Sequence, residues 1–479
     1  MKRGPSQLNL ICTSCNQEFK FDYIGYKCPK CKGFLWINTD LSNFIQNFSK
    51  ISNVFKFWDF NFSLPKIPKE FIVTLGEGGT PCKNSEKIGN NLGLNKLSFK
   101  DETHNPTSSF KDRVGALLIS HARNWDYKKV VCASNGNQGA SIAAYASLEG
   151  MKCLNIIPNQ IDIGKKAQMI AYDSEIEIKG NTIDDVIEYA LNDRFIEYYQ
   201  CTPEYNPLTI EAQKTIAFEI FIQKGIPDYI IIPMGSGELL VSLWKGFNEL
   251  EKSGIINKFP KLIGVQSEIS APIVNDFIGK PREKQKKFEI PKSIALGIFV
   301  KRPVYKDLAI KLIKESGGTV VAIEEELILN SIDNLIRNEG IFAEPASTLT
   351  LGAVEVLNKE NLFHPNESII CLITGSGLKA PYILEAISSQ AKTAGKGSII
   401  ITKLKILSQI SLSSIRGITG TEIKEIMASI SLASIYQHLQ GLELKGLIYR
   451  KKEGKKVLYF ITETGRKVLD ALDILITLL

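Results

Sequence analysis

A lysine at the start of a predicted helix is the first residue of this sequence whose pattern suits covalent chemistry. Lys111 ends a polar run and comes shortly before apolar residues of helical spacing that begin at Val114. Ser108 or Ser109 is the expected cap, which places Lys111 in the first helical turn. There the positive end of the helix helps to keep the amine unprotonated, as a lysine that forms a Schiff base requires. In isolation, the pattern is also that of an ordinary surface lysine.

Two turns that join a predicted strand to a predicted helix offer further groups to a bound molecule. The first turn, Ala133–Gly139, exposes Asn137 and several backbone amides. The second turn, Pro233–Leu240, contains Gly235 and Gly237, which let backbone amides approach a phosphate at the N-terminus of a helix. Either turn alone is weak evidence for a binding site.

Two CxxC pairs near the N-terminus have the spacing of a metal site. The pairs are separated by 12 residues, and Gly33 supplies a tight turn after the second pair. Their cysteines are Cys12, Cys15, Cys28 and Cys31. Four thiolates complete a closed tetrahedral site, so we predict a structural zinc ion that supplies the folding energy of a small zinc ribbon over residues 1–40. A pair of redox dithiols is the alternative.

The composition limits the classes of protein to which the chain can belong. Its 479 residues predict two to four domains, and 44% hydrophobic with 23% charged residues is typical of a globular protein. The net charge of +7 is modest and does not by itself indicate nucleic acid. Nine cysteines, with no signal-peptide pattern and no apolar run of membrane length, predict a cytoplasmic protein without a disulfide framework.

The region that must position the lysine and the two turns runs from about residue 71 to residue 390. Continuous apolar runs such as Tyr229–Ile232 suit strands covered on both faces, so we predict a parallel sheet in an α/β domain. The predicted strands are Lys129–Ala133, Cys153–Pro158, Tyr229–Pro233, Lys261–Gln266, Thr319–Ile323 and Ser368–Thr374. The aromatic-rich residues 41–70 are expected to form an arm that packs on this domain. Residues 391–398 are expected to be a linker to a separate unit over residues 399–479.

Seven short motifs follow one another between about residues 70 and 385. The motif around the lysine is Asn105–Arg113. The others are Gly76–Pro81, Glu211–Thr215, Trp244–Phe247, Ile263–Gln266, Glu344–Ser347 and Thr374–Lys379. In sequence and in order these motifs resemble those of the fold type II pyridoxal-phosphate enzymes, and of threonine synthase in particular. The resemblance implies an α/β fold with two parallel-sheet subdomains.

The resemblance also implies a role for each candidate residue. Lys111 would hold the cofactor as a Schiff base and act as the acid and base of the reaction. Asn137 would contact the ring hydroxyl, and Thr374 would offer a hydroxyl to the pyridine nitrogen, which leaves that nitrogen largely neutral. The cofactor phosphate would lie in the loop of Gly235, Ser236, Gly237, Glu238 and Leu239. The family converts O-phosphohomoserine and water to threonine and phosphate, and we expect a homodimer.

The sequence departs from the family at the contacts to the substrate phosphate. Thr209 stands where the family has an arginine, and Pro203 and Glu204 replace an Asn-Ser pair. Losing a guanidinium and gaining a carboxylate weakens the binding of a phosphate dianion. Other departures are Gln138, Glu238, Ser376 and Ala380. Glu238 can still serve through its backbone amide if its side chain points away. A paralogue with another amino-acid substrate, such as a cysteate-synthase-like enzyme adding sulfite to O-phosphoserine, is the alternative.

The C-terminal residues 399–479 predict a second kind of unit. They contain 12 Lys and Arg against 7 Asp and Glu, so most of the net positive charge lies there. The predicted elements are helices Thr419–Ala428 and Ser431–Lys445 and a two-stranded wing, Gly446–Ile461. The stretch resembles winged-helix transcription regulators, in which the second helix enters the major groove and a basic wing grips phosphates.

The spacing within the second of these helices divides its residues between two faces. Leu432, Ile435, Leu439 and Leu442 form the predicted buried face. Ser434, Tyr436, Gln437 and His438 are the predicted DNA-facing residues. A winged helix used for dimerisation or regulation is equally compatible with the pattern. A cofactor-bound regulator that senses an amino acid and binds DNA therefore stands beside the enzyme as a second hypothesis.

Overall fold

The computed structural model describes residues 9–20, 27–280, 293–380, 398–413, 416–427, 430–454 and 456–469. The chain divides into two compact units, Met1–Pro381 and Tyr382–Leu479. The predicted linker lies outside the described residues except for Ser398, which begins a helix. Within the part of the chain that is described, no helix has the length and apolarity needed to cross a membrane.

The cysteine module is a small antiparallel sheet. Its strands are β1 (Asn9–Cys12), β2 (Glu18–Lys20) and β3 (Leu35–Ile37), in the order β2-β1-β3. Leu10, Leu35 and Ile37 are buried and belong to the same apolar cluster as residues of the large domain. The module therefore shares its core with the body of the first unit.

The aromatic arm that follows packs on a long helix of the first unit. It contains helix α1 (Phe44–Phe48) and a 3₁₀ helix, Phe57–Ser63. The rings of Phe44 and Phe60 each lie 5.6 Å from the ring of Phe218, measured between centroids. Such aromatic contacts stabilise the packing beyond the area that they bury.

Two sheets made mostly of parallel strands form the framework of the first unit. Their strands are β4 (Cys82–Asn84), β5 (Lys96–Asp101), β6 (Lys129–Ala133), β7 (Lys152–Ile157), β8 (Glu175–Ile178), β9 (Tyr199–Gln200), β10 (Tyr229–Pro233), β11 (Lys261–Ser267), β12 (Thr319–Ile323) and β13 (Ser368–Ile373). One sheet has the order β12-β11-β10-β13-β5-β4, in which only β4 is antiparallel to its neighbour. The other has the order β8-β7-β6-β9 and is parallel throughout. The predicted α/β fold with two parallel-sheet subdomains is confirmed.

Helices surround the two sheets. They are α2 (Ile88–Leu92), α3 (Asp112–Asn124), α4 (Asn137–Leu148), α5 (Ile163–Ala171), α6 (Ile183–Tyr189), α7 (Leu208–Lys224), α8 (Glu238–Lys252), α9 (Pro272–Phe277), α10 (Lys306–Glu315), α11 (Glu325–Asn334) and α12 (Pro345–Lys359). Three of the six predicted strands have the predicted bounds, and the others differ by one residue at one or both ends. The central strand β10 is buried at every position, which agrees with its continuous apolar sequence.

The C-terminal unit consists of short helices and a three-stranded sheet. Its elements are α13 (Ser398–Leu412), β14 (Ile418–Thr419), α14 (Gly420–Ile426), α15 (Leu432–Leu444), β15 (Ile448–Glu453) and β16 (Lys456–Ile461), and residues 463–469 are also helical. The sheet order is β14-β16-β15. The end of the helix predicted over Thr419–Ala428 lies outside the described residues.

Helix α15 buries three of the four residues predicted for its inner face. Ile435, Leu439 and Leu442 lie in the core of the C-terminal unit. The prediction is wrong for Leu432, which is 37% exposed. Leu432 is the first residue of the helix, directly after its cap Ser431. The first helical turn lies at the end of the element, where fewer neighbours surround it.

Candidate active site

All eight residues predicted for the cofactor site line one cleft in the first unit. The cleft is formed by the loop before α3, the turn that begins α4, the turn between β10 and α8, and the end of β13. These segments follow the carboxyl ends of parallel strands in both sheets, β6 in one sheet and β5, β10 and β13 in the other. The cleft is therefore a suitable place for a small molecule to bind.

Lys111 lies directly before α3 rather than inside its first turn. The helix begins at Asp112, and Lys111 itself occupies the capping position. The prediction that Ser108 or Ser109 caps the helix is wrong. Ser109 is paired with Gly375 as an isolated bridge, and the amide of Phe110 donates to the carbonyl of Thr374 at 3.0 Å. These long-range bonds anchor the turn before Lys111 to the residues that follow β13.

The amine of Lys111 is held by a carboxylate from the opposite side of the cleft. Lys111 Nζ forms an ion pair with Glu238 Oε1, and the two side chains are only 11% and 7% exposed. The same oxygen accepts a hydrogen bond from Gln213 Nε2 at 2.8 Å. The side chain of Glu238 therefore points into the cleft. The reason is electrostatic, since the lysine is the nearest cation for a buried carboxylate.

The turn between β10 and α8 has the geometry of an anion cradle. Gly237 precedes the first residue of α8 and has a φ of +92°, a conformation that favours glycine. A Cβ atom on Gly235 would lie 3.3 Å from Val300 Cγ2, so a side chain would crowd the loop. The first amides of α8 have no partner within the helix and point along the positive end of its dipole. A phosphate fits at this position.

Asn137 is fixed by two partners that lie far away in the sequence. Its Nδ2 donates to Glu344 Oε1 at 2.8 Å, and its Oδ1 accepts from Lys379 Nζ at 3.1 Å. Lys165 Nζ lies 2.8 Å from Glu344 Oε2 and extends the chain of contacts. Burial lowers the pKa of Lys379 to about 8. Glu344 and Lys379 stand in two of the motifs from which the family was inferred, but their contact to Asn137 was not foreseen.

Thr374 presents its hydroxyl at the end of β13, as predicted. Ser347 Oγ lies 2.9 Å from Thr374 Oγ1 and accepts hydrogen bonds from the amides of Thr374 and Gly375, both at 3.0 Å. Ser347 lies near the N-terminus of α12 and is fully buried. The threonine hydroxyl is thus held in one place by a residue that sequence reasoning did not single out.

The residues of the cleft fit pyridoxal phosphate. The glycine turn supplies an anion site, Lys111 an amine, and Thr374 a hydroxyl for a ring nitrogen. In the described part of the structure, both side-chain polar atoms of Gln138 and the second oxygen of Glu238 are buried without a hydrogen-bond partner. Buried polar atoms without partners are costly, and a ligand in the cleft that hydrogen-bonds them removes that cost.

The departures from the family motifs place acidic and neutral groups around this cleft. Glu204 lines the cleft together with Glu238. Burial, followed by the charge of Glu238, raises the pKa of Glu204 to about 7. Thr209 is fully buried in α7, and among the described residues its hydroxyl has no hydrogen-bond partner. The described cleft therefore has no guanidinium group in its lining.

The four cysteines of the N-terminal module form one cluster. Their sulfur atoms all lie within 4.8 Å of one another. The distance is 3.4 Å between the sulfurs of Cys12 and Cys31 and 3.7 Å between those of Cys15 and Cys28. Tetrahedral zinc with bonds of about 2.3 Å requires sulfur–sulfur distances of about 3.8 Å. The cluster therefore fits a tetrahedral metal ion.

The fold and the cleft agree with a comparison against known families. A family model described as "Pyridoxal-phosphate dependent enzyme" matches residues 73–375, well over half of the chain. The chain belongs to the pyridoxal-phosphate dependent enzymes. Its fold is similar to that of the processed form of threonine deaminase isoform 2 from Solanum lycopersicum, with a TM-score of 0.55 and 19% identity over 74% of this chain and 93% of that one.

Within this family the chain is similar to threonine synthases. It is 35% identical to the threonine synthase of Methanocaldococcus jannaschii over 379 residues, which cover 77% of this chain and 92% of that protein. It is 36% identical to the threonine synthase of Bacillus sp. over 345 residues, or 71% and 94% of the two chains. The chain is thus a threonine synthase-like enzyme of the carbon–oxygen lyase class.

Proposed function

We propose that this enzyme converts O-phosphohomoserine and water to threonine and phosphate. The observation that carries the proposal is the position of Lys111 in a cleft that also holds the glycine turn, Asn137 and Thr374. When bound, pyridoxal phosphate supplies the electron sink that stabilises a carbanion next to the amino group of the substrate. The residues of the chain then have to bind, orient and move protons.

The candidate residues have different tasks in this proposal. Lys111 Nζ removes the proton next to the substrate amine and returns protons during loss of phosphate and addition of water. Its ion pair with Glu238 holds the amine within the cleft before the cofactor enters. Asn137 would contact the ring hydroxyl of the cofactor, and its bonds to Glu344 and Lys379 fix the orientation of its amide. Residues Gly235–Leu239 bind the cofactor phosphate through backbone amides.

A second candidate substrate is considered because the lining of the cleft departs from the family's site for the substrate phosphate. Glu204 and Glu238 are two carboxylates, and Thr209 is neutral, so the described residues around the cleft do not reproduce a guanidinium site for a substrate phosphate. A paralogue that acts on another amino acid, for example by adding sulfite to O-phosphoserine, would keep Lys111 and the cofactor residues. The two candidates differ in the substrate and share the same cofactor chemistry.

Parallel turnover assays distinguish the two candidates. Purified full-length protein is incubated with O-phosphohomoserine, and phosphate and threonine are both quantified; O-phosphoserine with sulfite is assayed in the same way for cysteate. Equal amounts of phosphate and threonine, both lost in Lys111→Ala, support threonine synthase. Cysteate formation without threonine supports the paralogue. Arg123→Ala, a partly exposed change outside the cleft, is a control for the substitution itself.

We infer that the four cysteines of the N-terminal module bind one structural zinc ion. The supporting observation is the cluster of four sulfur atoms within 4.8 Å. The matching domain assignment is a zinc ribbon over 1–40, an arm over 41–70, a catalytic domain over 71–390, a linker over 391–398 and a winged helix over 399–479. Metal analysis of the purified protein tests the site: one equivalent of zinc is expected, and Cys28→Ser is expected to lose it.

We further propose that the protein is a cytoplasmic homodimer. We also propose that its C-terminal unit binds DNA through α15 and the β15–β16 hairpin. The exposed hairpin residues Arg450, Lys451 and Lys452 support this proposal. Arg450 and Lys451 form ion pairs with Glu443 and Glu453, which reduces the charge that they offer to phosphates. A role in dimerisation or regulation is the alternative.

The predicted DNA-facing residues differ in their solvent exposure and in their contacts within the unit. Gln437 is exposed, whereas His438 is partly buried with its ring 3.4 Å from Ser434 Oγ. Tyr436 packs on the start of α14. Its ring lies so close to Gly420 that a Cβ atom on this glycine would be 2.7 Å from it. A DNA-binding titration at several salt concentrations tests the surface. Lys452→Gln should reduce the salt dependence of binding, and Lys467→Gln, outside the hairpin, should not.

A further inference from the structure

The cysteine module holds one aromatic ring in a defined position. Phe34 follows Gly33, just after the second CxxC pair. Its carbonyl accepts a hydrogen bond from the amide of Thr13 at 2.9 Å, and Phe34 forms an isolated bridge with Lys27. Thr13 lies within the first CxxC turn and Lys27 directly before the second. The backbone of Phe34 is therefore held by both cysteine turns.

The ring of Phe34 stacks on a residue of the large domain. The ring centroids of Phe34 and Tyr305 are 4.8 Å apart, and their planes differ by 23°. Tyr305 is 2% exposed and comes directly before α10. Stacked aromatic pairs of this geometry contribute to stability beyond their buried area. The contact joins the cysteine module to the part of the fold that supports the cleft.

Tyr305 in turn contacts the glycine turn of the cleft through its backbone. Its amide donates to the carbonyl of Ser236 at 3.0 Å. A Cβ atom on Gly237 would lie 3.4 Å from Tyr305 Cβ, so the two backbones are close. Glycine-containing turns have many accessible conformations, and a bond to a packed neighbour reduces that freedom. Tyr305 is thus placed to hold the turn in the conformation that presents its amides.

The same module also contacts the helix that begins at this turn. Lys245 Nζ donates to the carbonyl of Ile37 at 2.7 Å, and the rings of Trp36 and Trp244 are stacked with centroids 5.9 Å apart. Both Lys245 and Trp244 belong to α8. The module therefore supports the turn from one side through Tyr305 and supports the following helix through β3.

We propose that Phe34 and Tyr305 are positioning residues for the Gly235–Leu239 turn, so that a metal-loaded cysteine module increases the affinity of the cleft for the cofactor phosphate. This inference rests on the proposed function, because it takes the turn as the phosphate site. Neither residue lines the cleft or touches the reacting atoms. Their effect is on the binding of the cofactor, and it is transmitted by one stacked pair and one backbone hydrogen bond.

The test measures cofactor affinity rather than turnover. Apo full-length protein is titrated with pyridoxal phosphate, and the visible absorbance gives the dissociation constant, with zinc present and after chelation. Phe34→Ala is expected to weaken binding about 3- to 10-fold, the range that the loss of one aromatic stack supports. Chelation should weaken binding in the wild type by a similar factor. It should weaken binding in Phe34→Ala by less, because the stack with Tyr305 is already lost and only the contacts between β3 and α8 remain to be affected.

Two further variants complete the test. Phe19→Ala removes another partly buried ring of the same module, one that packs in a different apolar cluster, and should bind like the wild type. Phe34→Leu keeps the apolar volume without the stack and should show a smaller loss than Phe34→Ala, which provides a test if the alanine variant does not fold.

The outcomes separate this inference from the function on which it rests. Wild-type protein that takes up no pyridoxal phosphate would overturn the proposed function and this inference with it. Cofactor uptake with the same dissociation constant in wild type and in folded Phe34→Ala or Phe34→Leu would overturn this inference alone. An equal effect of chelation in wild type and Phe34→Ala would also overturn it, because the coupling would then not pass through Phe34.

Discussion

Glu238 holds the amine of Lys111 in an ion pair, and this pair has to be broken before the lysine can react with a carbonyl compound. Replacing Glu238 by glutamine keeps the shape of the side chain and its contact with Gln213 but removes the charge. A hydrogen bond to a charged group contributes about 1.5–3 kcal/mol and a neutral one about 0.5–1.5 kcal/mol. Because the two side chains are only 11% and 7% exposed, solvent screens the pair little.

The difference between the two kinds of bond sets the size of the expected effect. A change of about 1–1.5 kcal/mol corresponds to roughly a 5- to 10-fold change in an equilibrium constant. We therefore expect Glu238→Gln to bind pyridoxal phosphate about 5- to 10-fold more tightly than the wild type. Removing a negative charge next to the glycine turn acts in the same direction, because that turn receives a phosphate.

The assay is a titration of apo protein with pyridoxal phosphate followed by visible absorbance. Glu251→Gln is the matched control, because Glu251 lies on the same helix and is exposed outside the cleft. This variant should bind like the wild type. Equal or weaker binding by Glu238→Gln would refute the reasoning, since the carboxylate would then assist the cofactor instead of competing with it.

Two further predictions follow from buried charges. The pKa of Glu204 is raised to about 7, so this carboxyl is neutral below that pH and charged above it. The KM for a phosphate-bearing substrate should therefore rise as the pH increases through 7, and Glu204→Gln should lose that part of the pH profile while the titration of the substrate itself remains. Arg113→Met should destabilise the protein by about 3–5 kcal/mol, measured by urea unfolding. It leaves the buried carboxylates Glu102 and Glu219 with Lys100 as their remaining cation.

Much of the framework was predictable, because the patterns that determine it are local. Buried strands such as β10 appear as continuous apolar runs, and the turns that follow such strands contain the candidate residues. The resemblance to the family implied that residues such as Lys111 and Gly237, which are distant in the sequence, share one cofactor site. The structure brings all eight candidates to one cleft.

The details that were not predicted depend on contacts between distant parts of the chain. Helix α3 begins later than predicted because Ser109 pairs with Gly375, more than 250 residues away. The partners of Asn137 lie 207 and 242 residues away, and no local pattern indicates them. The sequence left the direction of the Glu238 side chain open, because its partner Lys111 lies 127 residues away.

Reductive trapping of the cofactor tests the central claim most directly. Full-length protein loaded with pyridoxal phosphate is reduced with borohydride, digested and analysed by mass spectrometry, which locates the modified lysine. Lys165 and Lys379 are buried lysines that contact Glu344 and Asn137, respectively, so they are the alternative sites of cofactor attachment. We predict one modified peptide, containing Lys111, and no modification in Lys111→Ala. Modification of Lys165 or Lys379 in the wild type, or of no lysine, would contradict the account.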